Sequence, residues 1–345
     1  MLALRKTKPF PGIELLDIPE PPPPGRGEVL IEIAATGLCG TDLHIDEWAP
    51  MYQSFMGKAL PVTIGHETAG HIVKVGAEIA TLKEGDAVAV NPAVACGTCA
   101  SCMAGITDDC RNRQAIGLIR DGGCARYMLA PADYCYRLPS SMPAELGALV
   151  EPLTTSAHAL ATADMTAGKR VIVFGPGPIG QGAAILARQM GAADVVIVGM
   201  HDESRLATLG QIGFTHLIDL AEAGASQRLT EIAADGFDIA IEAAGAPAVV
   251  DQALSVLKPW GILAVAGMPE GDASFNILRV VRNRLQIRGV SRTPKSAWTI
   301  VLDAMGKEPE AFAPIISHRI ALQDATHALE LCHSRQASKV LVIPG

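Results

Sequence analysis

RVIVFGPGPIG, residues 170–180, runs from a segment of buried-strand composition into a glycine-rich turn and the start of a helix. Gly175, Gly177 and Gly180 stand in G-x-G-x-x-G spacing directly after the strand. In such a turn the first glycine allows the tight bend and the second lets a pyrophosphate approach the backbone. The third lets helix and strand pack closely. The helix, entered through Pro178 and Ile179, offers N–H groups and the positive end of its dipole to an anion. Alone the pattern is weak, because glycine-rich strand-to-helix turns occur without ligands. Its surroundings decide. Ile179, Ala183, Leu186 and Met190 recur at helical spacing after the turn. VVIVG (195–199), THLID (215–219), FDIAIEAAG (237–245), GILAVAG (261–267) and LQIRGV (285–290) repeat the strand composition, with helix-like segments between most of them. Six strands in strand–helix alternation predict an α/β fold with a doubly wound parallel sheet of Rossmann type that binds a dinucleotide.

The ribose end of this site is less regular. An acidic residue is expected at the end of the second strand, about 20 residues after the glycines, to hold the 2′-hydroxyl of NAD. Gly199 occupies that place, and Asp202 arrives three residues later. A missing carboxylate removes the repulsion that rejects a 2′-phosphate, and His201, Ser204 and Arg205 could contact one. The other reading keeps Asp202 or a backbone group on the hydroxyl with Arg205 stacked on adenine. NAD is the expected cofactor, with NADP as the alternative.

Working outward, 345 residues exceed the usual single-domain size, so more than one domain is expected. Residues 1–150 read as β-rich and irregular, opening with the proline-rich loop PEPPPPGRGE (19–28) and the strand-like VLIEIAATG. The tail, residues 291–345, ends in the strand-like SKVLVIPG and is too short to stand alone, so it is expected to return to the first domain. A net charge of −8 without any basic block argues against nucleic acid as a partner. No apolar run reaches the length of a membrane span, and MLALRKTKPF carries no apolar signal core. A cytoplasmic protein without membrane partners is expected.

CGTCASCMAGITDDC places Cys96, Cys99, Cys102 and Cys110 within fifteen residues. Four thiolates so spaced can close a tetrahedral zinc site with no open position, which makes it structural. An iron–sulfur cluster also takes four cysteines, but its usual bacterial spacing differs. A second donor set is scattered. GLCGTDLH (37–44) supplies Cys39, Thr41 and His44; IGHETAG supplies His66 and Glu67; ALVEPLTTSAH supplies Glu151. Thiolate, imidazole and carboxylate suit zinc, and three protein ligands leave room for a substrate oxygen. Singly, each has a plainer reading: core packing for Cys39, a hydrogen-bonded turn for His66, a helix-start carboxylate for Glu151.

CGTDLH, GHETAG, the cysteine lobe, VEPL and GPGPIG, in this order, resemble the zinc-containing medium-chain dehydrogenase/reductase family, the alcohol dehydrogenase superfamily, over essentially the whole chain. They look closest to its polyol (sorbitol-type) and L-threonine dehydrogenase branches. The resemblance implies a GroES-like catalytic domain (1–150), a Rossmann-type domain (151–290) and a returning C-terminal segment (291–345). It implies two zincs per chain and hydride transfer from a secondary alcohol to NAD, or to NADP, in a homodimer or homotetramer. Cys39 and His66 would bind the catalytic zinc, completed by Glu67 or Glu151, with Thr41 and His44 at proton-relay positions and Arg292 near the substrate. Two departures stand out: DGGCARY has Cys124 and Arg126 where the family has aromatic and acidic residues, and Thr293 replaces an aromatic after Arg292. Rival readings are an NADPH-dependent zinc aldehyde or ketone reductase and a non-catalytic dinucleotide sensor on the same fold.

Overall fold

Proline and glycine punctuation cuts the first part of the chain into short strands. They are β1 (Leu2–Lys6), β2 (Glu14–Asp17), β3 (Glu28–Gly37), β4 (Val62–Thr63), β5 (Glu67–Val75), β6 (Ala87–Val90), β7 (Ala93–Val94), β8 (Gln114–Ala115), β9 (Tyr127–Pro131) and β10 (Cys135–Arg137). Then come β11 (Arg170–Phe174), β12 (Asp194–Gly199), β13 (His216–Asp219), β14 (Phe237–Glu242), β15 (Leu257–Val265) and β16 (Gln286–Gly289), followed by β17 (Ile316–Ala321) and β18 (Lys339–Ile343). This computed structural model describes the whole chain except residues 270, 335 and 336 and the side chain of residue 55.

The chain divides into two compact units. The first comprises Met1–Glu151, Met305–Pro309 and Ile316–Gly345; the second comprises Pro152–Ala304 and Glu310–Ile315. The tail is therefore shared. The helix Lys295–Lys307 buries Ala297, Trp298 and Val301, and most of it groups with the second unit, whereas β17 and β18 belong to the first.

In the first unit β10-β6-β5-β3-β18-β17 form one sheet, with β9 also paired to β3. Strand β3 alternates, burying Val29, Ile31, Ile33 and Ala35. Each Val or Ile side chain among them contributes roughly 1.5–3 kcal/mol when fully buried. At its end β3 is flanked by both β5 and β18, with Gly37 opposite Glu67 and opposite Leu341. Three segments distant in sequence therefore converge on one point.

The second unit is a six-stranded parallel sheet in the order β13-β12-β11-β14-β15-β16. The inner strands β11 and β12 are near-continuous runs of Val, Ile and Phe, as burial on both faces requires, whereas the edge strands β13 and β16 are more polar. The strand order reverses between β11 and β14, so a crevice opens at their C-terminal ends. The glycine-rich turn lies there. Gly175 takes φ +96°, and a side chain on it would come within 2.6 Å of the Ala244 backbone nitrogen. Gly177 caps the helix Pro178–Gln189 and faces open space. No helix among the described residues is long and apolar enough to cross a membrane.

Candidate active site

Three side chains meet where β3, β5 and β18 converge. Ligand atoms of Cys39, His66 and Glu67 all lie within 4.8 Å of one another. Cys39 caps the helix Gly40–Asp46 in extended conformation, just beyond the end of β3. Glu67 opens β5 opposite Gly37, and a side-chain carbon on Gly37 would run into the Glu67 carboxylate. Thiol, imidazole and carboxylate so gathered match the donor set of a zinc site with an open position.

Buried neighbours hold these donors. Asp42, fully buried, accepts the Cys39 N–H at 2.9 Å through Oδ2. Its Oδ1 stands 3.7 Å from His66 Nδ1, and neither of those two atoms has a hydrogen-bond partner among the described residues. Burial alone would lower the His66 pKa, but the Asp42 carboxylate and the Cys39 thiol outweigh it and raise that pKa well above its ordinary value. A metal binds imidazole in its neutral form, so metal and proton compete for His66. Lys339, from β18, donates to Glu67 Oε1 at 2.7 Å, to Oε2 at 2.6 Å and to the Leu38 carbonyl at 2.9 Å. All three ammonium protons are thus used in the interior.

Glu151 stands in the first turn of the helix Val150–Thr162. Burial pushes its carboxyl up to about 7, with His66 and Lys339 pulling it down and Glu67 and Asp42 adding to the rise. It faces the same group of charges but lies outside the three-residue cluster. Thr41 receives a hydrogen bond from the Tyr52 hydroxyl at 3.5 Å, and the Tyr52 ring stacks with His44 at 6.2 Å between centroids. His44 is 43% exposed, with Glu47 3.6 Å from its Nδ1.

The second cluster, Cys96, Cys99, Cys102 and Cys110, brings four sulfurs within 4.8 Å of one another. Cys99 Sγ lies 3.5 Å from Cys102 Sγ and 3.9 Å from Cys110 Sγ. A tetrahedron with Zn–S of about 2.3 Å has edges of about 3.8 Å, so the four thiols fit a closed zinc site.

In the second unit, Asp202 caps the helix Glu203–Gln211 and pairs with Arg205 at 2.9 Å. Asp219, at the end of β13, accepts the N–H groups of His201 and Asp202 at 2.9 and 2.8 Å. Glu242, at the end of β14, accepts those of Ala244 and Gly245 at 2.8 and 2.7 Å. That turn is the one lying against Gly175. Arg292 is exposed, in left-handed backbone at φ +59°. Of the two departures, Cys124 is fully buried in the core and Arg126 pairs with Glu32 on the surface at 3.1 Å.

Sequence reasoning missed Asp42, Tyr52, Lys339 and Asp219. Only Asp42 left a signal: three residues beyond a helix-capping position, an acidic side chain commonly reaches back to the cap's backbone. Tyr52 shows only when the helix Pro50–Met56 lies beside the helix Gly40–Asp46, and Lys339 and Asp219 only once strands separated in the chain lie side by side.

Comparison with known proteins agrees with these two units. Residues 25–140 match the family described as alcohol dehydrogenase GroES-like domain, and residues 178–307 match zinc-binding dehydrogenase. The L-threonine 3-dehydrogenase of Escherichia fergusonii is 33% identical over 344 residues, 99% of each chain. The galactitol-1-phosphate dehydrogenase of Escherichia coli superposes with a TM-score of 0.87 at 28% identity, covering 100% of both chains. A zinc-binding dehydrogenase from Sinorhizobium meliloti 1021, bound to NADP, superposes with a TM-score of 0.86 at 28% identity over 99% of both. With both family models, a relative matched from end to end, and metal-ligand clusters of the right chemistry, the chain belongs to the zinc-binding alcohol dehydrogenase superfamily, the medium-chain dehydrogenases/reductases, and is a zinc-dependent oxidoreductase of alcohols.

Proposed function

We propose that the chain oxidises a secondary alcohol bearing further polar groups (a polyol, sugar alcohol, diol or L-threonine-like molecule) to the ketone, reversibly, with NAD as hydride acceptor. The observation that carries this reading is the Cys39–His66–Glu67 cluster, separate from the four-cysteine cluster that accounts for a structural metal. When bound at the first cluster, zinc supplies Lewis acidity that lowers the pKa of the alcohol, and the dinucleotide accepts the hydride.

The chain's own residues do the rest. Cys39 and His66 are the ligands in this reading, with Glu67 or Glu151 completing the set. The Tyr52 hydroxyl fills one lone pair of Thr41 Oγ1, which leaves the second to accept the substrate proton and the Thr41 proton to be donated onward. His44, part-exposed, hands that proton to water. Gly175, Gly177, Pro178, Ile179 and Gly180 cradle the pyrophosphate, and Asp202 and Arg205 meet the adenosine ribose. Arg292 is a candidate contact for the substrate's polar groups.

A second reading, an NADPH-dependent reductase of aldehydes or ketones, is favoured by one observation: Gly199 where a ribose-binding acid is expected. We further propose a homo-oligomer, dimer or tetramer. The edge strand β16 and the helix Ile277–Asn283 expose Ile277, Leu278, Val281 and Ile287, an apolar surface that a second copy would cover. The cytoplasm is the proposed location.

A panel of secondary alcohols, polyols and L-threonine, assayed with NAD and NADP alongside zinc analysis, tests the reading. Two zincs per chain and turnover of a panel member are expected. One zinc at the cysteine cluster with no turnover would refute it in favour of a dinucleotide sensor.

A further inference from the structure

Beyond Gly199 the backbone turns back on itself. His201 takes φ +60°, and Asp202 comes to lie over the end of β12. A first side-chain carbon at position 199 would stand 2.8 Å from Asp202 Cβ, 3.2 Å from Asp202 Oδ2 and 3.0 Å from Pro176 Cγ. Position 199 is thus closed to any side chain, and Asp202 fills the space that side chain would enter. Pro176 belongs to the glycine-rich turn, so this space adjoins the pyrophosphate loop. Asp202 is three residues late in sequence but not in space.

The fold-back has a specific cause. Asp219 is the register partner of Gly199 on the neighbouring strand and is 2% exposed. Its Oδ1 accepts the N–H groups of His201 and Ala221, both at 2.9 Å, and its Oδ2 accepts that of Asp202 at 2.8 Å. Two of these bonds tie the Met200–His201 and His201–Asp202 peptides to the end of β13. Burial alone would raise the Asp219 carboxyl, but the three N–H donors hold it below the usual carboxylate range. Asp202 in turn is oriented at both oxygens: Oδ1 pairs with Arg205 at 2.9 Å and Oδ2 accepts the Met200 N–H at 3.3 Å. Arg205, engaged by Asp202, is not a free cation for a phosphate.

We propose that Asp202 stands in for the strand-end carboxylate absent at Gly199, that Asp219 positions it there, and that the two together make the site select NAD over NADP. This rests on the dinucleotide reading above. A carboxylate beside the ribose accepts hydrogen bonds from its hydroxyls and repels a 2′-phosphate.

Titration calorimetry of the full chain with NAD+ and with NADP+ tests this without a known substrate. The wild type is expected to bind NAD+ more tightly by about tenfold or more, a difference of about 1.4 kcal/mol. Asp202→Asn removes the repulsion and releases Arg205, so NADP+ gains and the gap closes or reverses. Asp219→Asn sets an amide donor against backbone donors, so NAD+ affinity falls by about tenfold and the gap narrows. Asp202 is part-exposed at a helix cap, so its variant should fold even where Asp219→Asn does not. A wild type that prefers NADP+, or an Asp202→Asn protein with the wild-type gap, overturns the proposal. Unchanged NAD+ affinity in folded Asp219→Asn removes Asp219 from it. A wild type that binds neither nucleotide refutes the dinucleotide reading itself, which is a different result.

Discussion

The Lys339 ammonium grips both carboxylate oxygens of Glu67, at 2.7 and 2.6 Å, with the two side chains 4% and 1% exposed. Removing one member of a buried pair leaves the other charge without a partner, a loss of about 3–5 kcal/mol. Lys339→Met should therefore lower stability to chemical denaturation by about that amount, whereas Lys339→Met with Glu67→Gln should recover most of it. A neutral single variant would show that the pair carries no stability.

Removing the Tyr52 hydroxyl leaves Thr41 free to turn its proton toward more than one acceptor. Tyr52→Phe should slow kcat by up to about tenfold, the worth of one hydrogen bond, with little effect on alcohol KM. His44→Ala should slow oxidation more at low pH than at high pH, where hydroxide can take the proton instead. Steady-state rates between pH 6 and 9 check both; a uniform loss in His44→Ala argues against the relay.

The two metal clusters should separate by mutation. Cys99→Ser should reduce zinc from two per chain to one and lower the melting temperature. Cys39→Ser should abolish turnover while NAD+ binding, made in the other unit, persists. Full activity in a metal-verified Cys39→Ser protein would remove Cys39 from the site.

Asp219 makes the second unit sensitive to acid. Its folded pKa lies below the unfolded carboxylate value of about 3.9, so its contribution is present above that pH. It is lost as pH falls through the folded value, when protonation puts an O–H among three N–H donors. Denaturant unfolding between pH 6 and pH 2 should show wild type well ahead of Asp219→Asn at the higher pH, with the lead shrinking as the pH falls below the unfolded carboxylate value.

The strand–helix alternation, the glycine-rich turn and the cysteine cluster were legible in the sequence because each is local: its ligands or its period lie within a few dozen residues. Cys39, His66 and Glu67 were legible only as a set, through family resemblance, since no single segment holds two elements of the geometry beyond the His66–Glu67 pair. Lys339 read simply as part of a strand, because its meaning comes from β18 lying beside β3. Asp219 was hidden for a related reason: it acts on backbone N–H groups, which carry no residue-type signature. Asp202 was judged by its distance along the chain, whereas a left-handed residue at 201 shortens the distance that matters.

The pairing of β18 with β3 also has a consequence for synthesis. Glu67 and Lys339 are 272 positions apart. At roughly 5–20 residues per second the ribosome takes about 15–50 s to travel from one codon to the other. Throughout that interval the nascent first unit carries the Glu67 carboxylate without the lysine that neutralises it, and the Thr36–Gly37 end of β3 without its β18 neighbour. A chain lacking β18 would keep its cysteine cluster and its glycine-rich turn yet leave the buried Glu67 carboxylate without its lysine partner.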